Sequence, residues 1–249
     1  MLTLDNLAVA GRFQSFSAEV AAGSRVHILG PNGAGKSSLL ASIAGMLPAE
    51  GQCFIEGQPL SAFSGQALSR CRSYLCQHYL PLSAMPVYQY LSLHQPLGVS
   101  PAELENTLTR LCARLHLLDK LSKAITRLSG GEWQRVRLVA ALLQVWPTIN
   151  PQGRILLLDE PANSLDIAHQ QATDLLVAEF CAAGGVAIIS DHDLNHTLHH
   201  ASQVWLMAEG AVIKTGTPNE ILQPATLQPV YGVYFEQHRV AGKSWLMTF

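Results

Sequence analysis

The sequence is low in charged and aromatic residues, and neither sign of charge predominates. Charged residues make up 14% and aromatic residues 7% of its 249 positions, against 48% hydrophobic, which excludes a disordered or fibrous chain. The 16 basic and 18 acidic residues give a formal charge of −2, so the positive field that draws proteins to nucleic acid is missing and we expect no nucleic-acid partner. The length allows one large domain or two small ones, and we expect one domain with an inserted subdomain.

Paired cysteines, a secretory leader and long apolar runs are also absent. The five cysteines show no CxxC pair and no Cys/His finger spacing, so neither a disulfide framework nor a zinc site is predicted, and a reducing cytosol fits best. Residues 1–5 lack the basic segment and apolar run of a signal peptide, and no stretch offers about 18–20 continuous apolar residues. We therefore expect a chain that does not span a bilayer but can sit on a membrane through a partner.

Short apolar runs alternate with helical patterns at both ends of the sequence. The predicted strands are residues 26–29, 155–158 and 186–190, and the predicted helices are residues 36–46 and 167–183. Asp166 is placed to cap the second helix, which ends at Gly184 and Gly185. Strand, helix and strand in this order are typical of a parallel sheet. Glu209 and Gly210, between two apolar runs, predict a hairpin turn.

The segment between these α/β regions has a different composition. Residues 73–102 contain no Asp, Glu, Lys or Arg, and they carry Pro81, Pro86, Pro96 and Pro101 together with Tyr74, Tyr79, Tyr88 and Tyr90. Prolines predict loops and short helices here. One interpretation is a helical insertion packed on the core, and the other is a docking face for another protein, since uncharged, Tyr-rich patches suit interface centres. Both can hold.

A glycine-rich loop lies between a predicted strand and a predicted helix. Residues 30–37, Gly-Pro-Asn-Gly-Ala-Gly-Lys-Ser, match GxxxxGK[ST] in the context that this pattern requires, which disfavours a merely flexible turn. Glycines let backbone N–H groups converge on phosphate oxygens, and the following helix adds its positive end. Lys36 is expected to reach the β- and γ-phosphates, and Ser37 to bind Mg²⁺. The predicted nucleotide contacts here are Gly30, Pro31, Asn32, Gly33, Ala34, Gly35, Lys36, Ser37 and Ser38.

Two further segments have phosphate or metal chemistry. Residues 128–132, Leu-Ser-Gly-Gly-Glu, predict a helix over residues 133–146 opened by a Ser129/Glu132 capping box, and an anion can bind at such a helix start. A capped helix start is common when taken alone. Asp159 and Glu160 follow the apolar run 155–158, and two adjacent carboxylates at a strand end are costly unless a divalent cation lies beside them.

Taken together, the three motifs resemble those of the ATP-binding cassette (ABC) ATPases. The resemblance covers essentially the whole chain and implies a single ATP-binding domain over residues 1–249 that hydrolyses ATP with Mg²⁺. The implied fold is α/β, of the P-loop NTPase ABC ATPase type, with a RecA-like, mainly parallel sheet core. An N-terminal antiparallel β subdomain and an α-helical subdomain, inserted at approximately residues 73–152, complete it.

The same resemblance implies a role for each matching residue. Glu160 polarises the attacking water, Gln77 senses water and Mg²⁺, and His192 is the switch histidine that contacts the γ-phosphate. Ser37, Gln77 and Asp159 are the implied metal ligands. Two chains pair head to tail, so that Ser129, Gly130, Gly131 and Glu132 of one chain cap the nucleotide held by the other, with Asp166 of residues 164–166 at the interface. Arg12 or Phe13 is expected to face the adenine base.

Four segments resemble more narrowly the ATP-binding subunits of vitamin B12 (cobalamin) importers. These segments are residues 129–138, 150–154, 163–166 and 193–198. The resemblance implies two copies of an integral-membrane permease as partners, indirectly a periplasmic B12-binding protein, and a peripheral location on the cytoplasmic face of the bacterial inner membrane. The ATPase of an iron–siderophore or haem importer shares every motif above and is the alternative; a soluble ABC protein that acts without a permease is a further one.

A histidine-rich segment follows the third predicted strand. His192, His196, His199 and His200 have spacings that place them on one helix face, where they could bind a metal. No HExxH motif is present, and a switch histidine needs no metal. We expect the last three to form a solvated helix face, and Asp191 and Asp193 to be turn and N-cap acids.

Overall fold

The computed structural model describes residues 1–77 and 84–249, and within these residues the chain forms three sheets and nine α-helices. The strands are β1 (Leu2–Val9), β2 (Phe13–Val20), β3 (Arg25–Leu29), β4 (Glu50–Ile55), β5 (Gln58–Pro59), β6 (Arg72–Leu75), β7 (Ile155–Asp159), β8 (Val186–Ser190), β9 (Gln203–Ala208), β10 (Ala211–Gly216), β11 (Phe235–Val240) and β12 (Lys243–Thr248). The helices are α1 (Lys36–Ile43), α2 (Gly65–Cys71), α3 (Val87–Ser92), α4 (Pro101–Arg114), α5 (Gly130–Val145), α6 (Ile167–Ala182), α7 (Leu194–His200), α8 (Pro218–Ile221) and α9 (Pro224–Tyr231).

The apolar runs predicted as strands form the centre of a six-stranded sheet. Its order is β10-β9-β3-β8-β7-β6, and every neighbouring pair is parallel except the β9–β10 hairpin. All five residues of β3, β7 and β8 are buried, as expected for strands covered on both faces. The hairpin turns at Glu209 and Gly210, whose φ angles of +49° and +76° suit a tight turn, so that prediction is confirmed.

An antiparallel sheet of order β2-β1-β4-β5 covers the N-terminal side of this core. Its apolar residues pack with those of α1 and the parallel sheet in one cluster, where the Phe16 and Trp205 rings meet edge to face with centroids 5.1 Å apart. Such burial of apolar surface is the main stabilising contribution to the fold. The predicted N-terminal antiparallel subdomain is therefore present.

Helices α3, α4 and α5 follow β6 and precede β7 in the chain, and their buried side chains form a second core around α5. Leu111 of α4, Val139 of α5 and Trp146 are almost completely buried there. Residues 73–75, at the start of the predicted helical insertion, lie in β6, because the backbone of that strand pairs in parallel with β7. Tyr79 and Pro81, which belong to the uncharged segment interpreted either as a helical insertion or as a docking face, lie outside the described residues.

Helix limits follow the capping residues. Helix α5 begins at Gly130, three residues earlier than predicted, because Ser129 is its N-cap and both glycines are helical. Helix α1 ends at Ile43, short of the predicted residue 46. In the part of the chain that the structure describes, no helix has the length and apolar character needed to cross a bilayer.

Candidate nucleotide-binding site

The glycine-rich loop connects β3 to α1 and lines a cleft of about 520 Å³. Gly30 has a φ of +148°, and a Cβ there would lie 2.1 Å from the carbonyl oxygen of Met207, so only glycine fits. Gly35, the N-cap of α1, has a φ of +103°. The residues that line the cleft are Gly11, Arg12, Asn32, Gly33, Ala34, Gly35, Lys36, Ser37, Ser38, Gln77, Glu160, Asn163 and His192. Most of the predicted nucleotide contacts are therefore together.

Lys36 is held within its own loop. Its Nζ donates hydrogen bonds to the carbonyl oxygens of Gly30 at 2.7 Å and Pro31 at 3.0 Å. Burial lowers the pKa of its ammonium group, although Glu160 and Asp159 oppose that shift. The buried ammonium group of Lys36 is thus held by two carbonyl oxygens of its own loop, and the carboxylates of Asp159 and Glu160 lie near it.

The two adjacent carboxylates leave β7 in different environments. Asp159 is 2% exposed, and its Oδ1 accepts a hydrogen bond of 2.5 Å from the Ser190 hydroxyl at the end of β8. Glu160 lines the cleft and has a φ of +51°, a conformation that non-glycine residues rarely adopt and that occurs often at functional sites. Its backbone N–H donates to the same Ser190 hydroxyl oxygen at 2.9 Å. Ser190 therefore ties the two strand ends together.

Both oxygens of the Glu160 carboxylate have partners. The side-chain amides of Gln77 and Asn163 donate to Oε2 at 2.6 Å and 2.7 Å, and Nε2 of His192 contacts Oε1. Burial raises the pKa of Glu160, but the hydrogen bond and charge of His192, with the two amides, hold it below its ordinary value. The structure thus brings the three predicted catalytic residues, Gln77, Glu160 and His192, to one carboxylate, and this carboxylate is ionised at neutral pH.

Sequence reasoning missed Asn163 and Ser190 as members of this group. Asn163 lies in the turn after β7, three residues beyond Glu160, and Ser190 is the last residue of β8. Polar residues at the carboxyl ends of neighbouring parallel strands meet at one sheet edge. This rule could have identified both residues from the sequence.

The Leu-Ser-Gly-Gly-Glu segment forms the predicted capping box. The backbone N–H of Glu132 donates to the Ser129 hydroxyl oxygen at 3.2 Å, and the backbone N–H of Ser129 donates to the Glu132 carboxylate at 2.8 Å. That backbone hydrogen bond, with Lys123 and Lys120 nearby, lowers the pKa of Glu132 to about 2 against the effect of burial. The capping carboxylate is therefore ionised throughout the neutral range.

This segment contacts the turn before α6 and lies apart from the cleft. Ser129, Gly130, Gly131, Glu132 and Asp166 are not among the cleft-lining residues. A Cβ on Gly131 would lie 2.7 Å from the carbonyl oxygen of Ser164, whose φ is +64°. Asp166 is the N-cap of α6 and accepts a hydrogen bond of 2.9 Å from the backbone of His169, as predicted. The role of these residues in a second chain's site stays a prediction.

The two candidates for the adenine base have different positions. Phe13 is 4% exposed and its side chain lies in the cluster with Phe16 and Trp205, so the expectation that it faces the base is wrong. In β2 its side chain belongs to the buried face of the strand. Arg12 is exposed and lines the cleft, and it remains the candidate.

Of the three α7 histidines predicted to form a solvated face, His200 is exposed, whereas His196 and His199 are partly covered by other elements. His196 lies between the carboxylates of Asp174 and Asp191. Nε2 of His199 donates a hydrogen bond to the carbonyl oxygen of Ser244 at 2.9 Å, and its ring centroid lies 4.7 Å from that of Trp245. The expectation failed for His196 and His199, because Asp174 of α6 pairs with the first and β12 packs against the second. Asp193 is the N-cap of α7 and Asp191 accepts hydrogen bonds within the turn, both as predicted.

The residues predicted to hold Mg²⁺ fit that ion by their chemistry. Ser37 and Gln77 line the cleft, and Asp159 has a second carboxylate oxygen besides the one that accepts from Ser190. Hydroxyl, amide and carboxylate oxygens are the ligands that Mg²⁺ takes in proteins. Asp174, His196 and His200 also have ligand atoms within 4.8 Å of one another, but the Arg25 guanidinium and the His196 ring already pair with the Asp174 carboxylate.

Comparison with known proteins decides the family to which this cleft belongs. The family model described as ABC transporter matches residues 13–163, which is more than half of the chain. The chain belongs to the ABC transporter family. The family prediction is confirmed, and this ABC protein is an ATPase that binds ATP.

Relatives and solved structures agree with this assignment. The vitamin B12 import ATP-binding protein BtuD of Yersinia enterocolitica is 51% identical to this ABC protein over 248 residues, which cover 100% of this chain and 98% of that protein. The protein of the same name from Pectobacterium atrosepticum is 48% identical over 247 residues, 99% of each chain. A solved ATP-binding subunit of an ABC transporter has a TM-score of 0.81 at 25% identity, covering 93% of this chain and 98% of that one.

The fold prediction is confirmed by the same comparison. An ATP-binding cassette of an ABC transporter, solved in its ADP conformation, has a TM-score of 0.71 at 23% identity and covers 91% of this chain and 96% of that one. This ABC protein therefore has the mixed α/β fold of ABC ATPases, with a mainly parallel core, an antiparallel β subdomain and inserted helices.

Proposed function

We propose that this ABC ATPase is the ATP-hydrolysing subunit of a vitamin B12 importer in the bacterial inner membrane, peripheral on the cytoplasmic face. The observation that carries the proposal is the 51% identity, over the whole chain, to a protein named for vitamin B12 import. The cleft supports the ATPase part independently, because it combines a phosphate-binding loop with an ionised carboxylate and its three hydrogen-bond donors. A shared ABC ATPase fold does not specify the cargo, so the cargo is proposed from the names of the relatives alone.

In the proposed reaction the loop binds the phosphates of ATP. Residues 32–38 line the cleft and present backbone N–H groups at the start of α1, and Lys36 adds a positive charge for the β- and γ-phosphates. Ser37, Gln77 and Asp159 would hold Mg²⁺, which when bound neutralises charge on the phosphate oxygens. Arg12, at the edge of the cleft, is the proposed contact of the base.

Glu160 is the proposed residue that orients and polarises the attacking water. Its carboxylate lies in the cleft, and the amides of Gln77 and Asn163 and the ring of His192 limit its movement. An ionised, immobilised carboxylate aligns a nucleophile without further reorganisation, which is the main way in which proteins accelerate phosphoryl transfer. We propose that His192 also contacts the γ-phosphate.

The active unit we propose is a head-to-tail pair of two copies of this chain. Residues 129–132 and Asp166 lie outside the cleft of their own chain, yet residues 129–132 begin helix α5, whose first N–H groups suit an anion. In the pair, each chain supplies these residues to the ATP bound by the other. Hydrolysis then separates the two copies and completes the cycle.

The permease is proposed to dock on the surface from Gln77 to His94. Tyr88 and Leu93 are 56% and 68% exposed on this surface, and Leu97 just beyond it is 70% exposed, which suits the centre of an interface. Residues 78–83 of this surface lie outside the described residues. Two permease copies would contact the two ATPase copies, and a periplasmic B12-binding protein would deliver the cargo on the other side of the membrane.

Uptake of vitamin B12 by cells tests the proposal. A strain that lacks this chain should take up labelled vitamin B12 at background rates, and the wild-type chain supplied in trans should restore uptake. The Glu160→Gln variant should not restore it. Glu105→Gln, an isosteric change at an exposed position of α4, is the matched control and should restore uptake fully. Normal vitamin B12 uptake without the chain, together with lost uptake of an iron–siderophore or haem, would assign a different cargo.

A further inference from the structure

The turn that carries His192 is bound to one buried carboxylate. Oδ1 of Asp191 accepts hydrogen bonds from the backbone N–H groups of His192 at 2.7 Å and Asp193 at 3.0 Å. Asp191 follows β8 directly and is mostly buried. One side-chain oxygen therefore fixes the backbone on both sides of the Cα of His192.

The other oxygen of Asp191 is bound by a histidine of the next helix. Nδ1 of His196 donates to Asp191 Oδ2 at 2.5 Å, and Nε2 of His196 donates to Asp174 of α6 at 2.9 Å. Asp174 also pairs with the Arg25 guanidinium of β3. The result is a chain of alternating charges, Arg25–Asp174–His196–Asp191, which we call the charge chain.

Geometry indicates that His196 carries a proton on both ring nitrogens. Each nitrogen faces a carboxylate oxygen, and an ionised carboxylate can only accept a hydrogen bond. Burial lowers the pKa of His196, but the hydrogen bonds and charges of Asp174 and Asp191 outweigh it and raise the pKa to about 9. The two anions and two cations of the charge chain thus balance, and His196 stays charged at neutral pH.

A cavity of about 180 Å³ adjoins the turn. Its wall includes Asp174, Asp191 and His196 of the charge chain, together with Glu160 and His192 of the proposed active site. Close packing usually fixes a turn in a protein interior. Here the turn lacks packing contacts on the side that lines the cavity. The hydrogen bonds of Asp191 therefore contribute more to holding His192 against Glu160.

We propose that Asp191, held in place by the protonated His196, is a positioning residue for ATP hydrolysis, because it orients the turn from which His192 reaches Glu160. The proposal rests on the role of His192 under the proposed function. Neither Asp191 nor His196 lines the nucleotide cleft. The charge chain therefore acts on kcat through His192 and leaves ATP binding unaffected.

A double-mutant cycle on the purified full chain tests this role. Asp191→Asn keeps the size of the side chain but removes its charge, and we expect kcat to fall about tenfold with the Kd for ATP within twofold of wild type. In a chain that already carries His192→Ala, the same substitution should change kcat less than twofold. If the loss of kcat in the double variant equals the product of the losses in the two single variants, Asp191 does not act through His192. Wild-type kcat in Asp191→Asn alone would show the same.

The two possible failures give different results. If His192→Ala alone keeps kcat within twofold of wild type, the proposed role of His192 is wrong and the charge chain has nothing to position. If His192→Ala lowers kcat but Asp191→Asn does not, only the present inference fails. His199→Gln is the matched control, since His199 lies on the same helix but contacts Ser244 and Trp245, and it should keep wild-type kcat.

Backbone hydrogen exchange at His192 provides a readout that does not depend on activity. In both Asp191→Asn and His196→Gln, the backbone amide proton of His192 should exchange at least fivefold faster than in wild type. In His199→Gln, the exchange rate of that proton should be unchanged. An unchanged rate in both charge-chain variants would contradict the proposal. A variant that is unfolded would lose protection throughout the core strands, which separates that case from a local effect.

The pH profile gives a further test through the ratio of wild-type kcat to that of His196→Gln. Besides the members of the charge chain itself, titratable groups that face it include His27 of β3, His200 of α7 and Tyr231 of α9. Burial lowers the pKa of His27 to about 4 and raises that of Tyr231 to about 12, so neither changes charge between pH 7 and 10. The ratio should fall toward one above about pH 9; a ratio constant to pH 10 would contradict the proposal.

Discussion

Replacing Glu160 by glutamine changes a single charge at the centre of the cleft. The carboxylate accepts from Gln77 and Asn163 on one oxygen and contacts His192 on the other. A glutamine has one oxygen and one NH₂ group, so its NH₂ must face either the two amide donors or the histidine. At least one hydrogen bond to a charged group is therefore lost, at a cost of about 1.5–3 kcal/mol.

The loss of the carboxylate also removes the proposed base for the attacking water, and general-base catalysis contributes about 10²–10⁴-fold. We expect kcat of Glu160→Gln to fall by about that factor. The Kd for ATP should stay within about threefold of wild type, because Lys36 keeps its bonds to the loop carbonyls. Because the Glu160→Gln variant should bind ATP without hydrolysing it, we also expect its two copies to stay paired when ATP is present.

Three measurements on the purified chain check this prediction. Steady-state phosphate release gives kcat, equilibrium binding of ATP gives Kd, and light scattering with ATP gives the mass of the assembly. Glu105→Gln, exposed on α4, controls for the change of charge. A Glu160→Gln variant that hydrolyses ATP within tenfold of wild type would refute the reasoning, because its water would then be aligned by another group.

Three other perturbations follow from the structure. The folded-state pKa of His196 is raised to about 9 from an ordinary 6.5. Its contribution to the free energy of unfolding is therefore complete below pH 6.5 and is lost as pH rises through about 9. The urea midpoint should fall more from pH 7 to pH 9.5 in wild type than in His196→Gln. Phe13→Ala should cost about 3–5 kcal/mol in urea unfolding, whereas Arg12→Ala should leave stability unchanged and raise the KM for ATP. Gly131→Ala should lower ATPase activity at least tenfold and leave ATP binding to one chain unchanged, since its Cβ would lie 2.7 Å from the Ser164 carbonyl oxygen. Full activity of this variant would show that the Leu-Ser-Gly-Gly-Glu segment takes no part in the reaction.

Local patterns accounted for much of the cleft. The glycine loop had to be glycine-rich because Gly30 and Gly35 adopt positive φ angles, and this requirement is visible in the sequence. The Ser129/Glu132 capping box and the buried strands β7 and β8 follow from residue type and hydrophobic runs in the same way. These features depend on neighbours within a few residues, so sequence reasoning reached them.

Long-range packing accounted for the errors. Phe13 was expected near the base, yet the antiparallel sheet turns its side chain into the core. The histidines of α7 were expected in solvent, but Asp174, twenty-two residues away from His196, pairs with that ring, and β12 covers His199. Periodicity assigns a side chain to a helix face without showing what lies against that face.

The amino-acid sequence by itself determined which chemical groups the chain can place on a nucleotide, because the phosphate loop, the strand-end carboxylates and the capped helix are each encoded within a short segment. Only the tertiary structure decided that Gln77, Asn163 and His192 share the Glu160 carboxylate, and that a protonated His196 supports the turn before it. These contacts join residues from different strands and helices. Their geometry and protonation depend on burial and on charges that meet only in the folded chain.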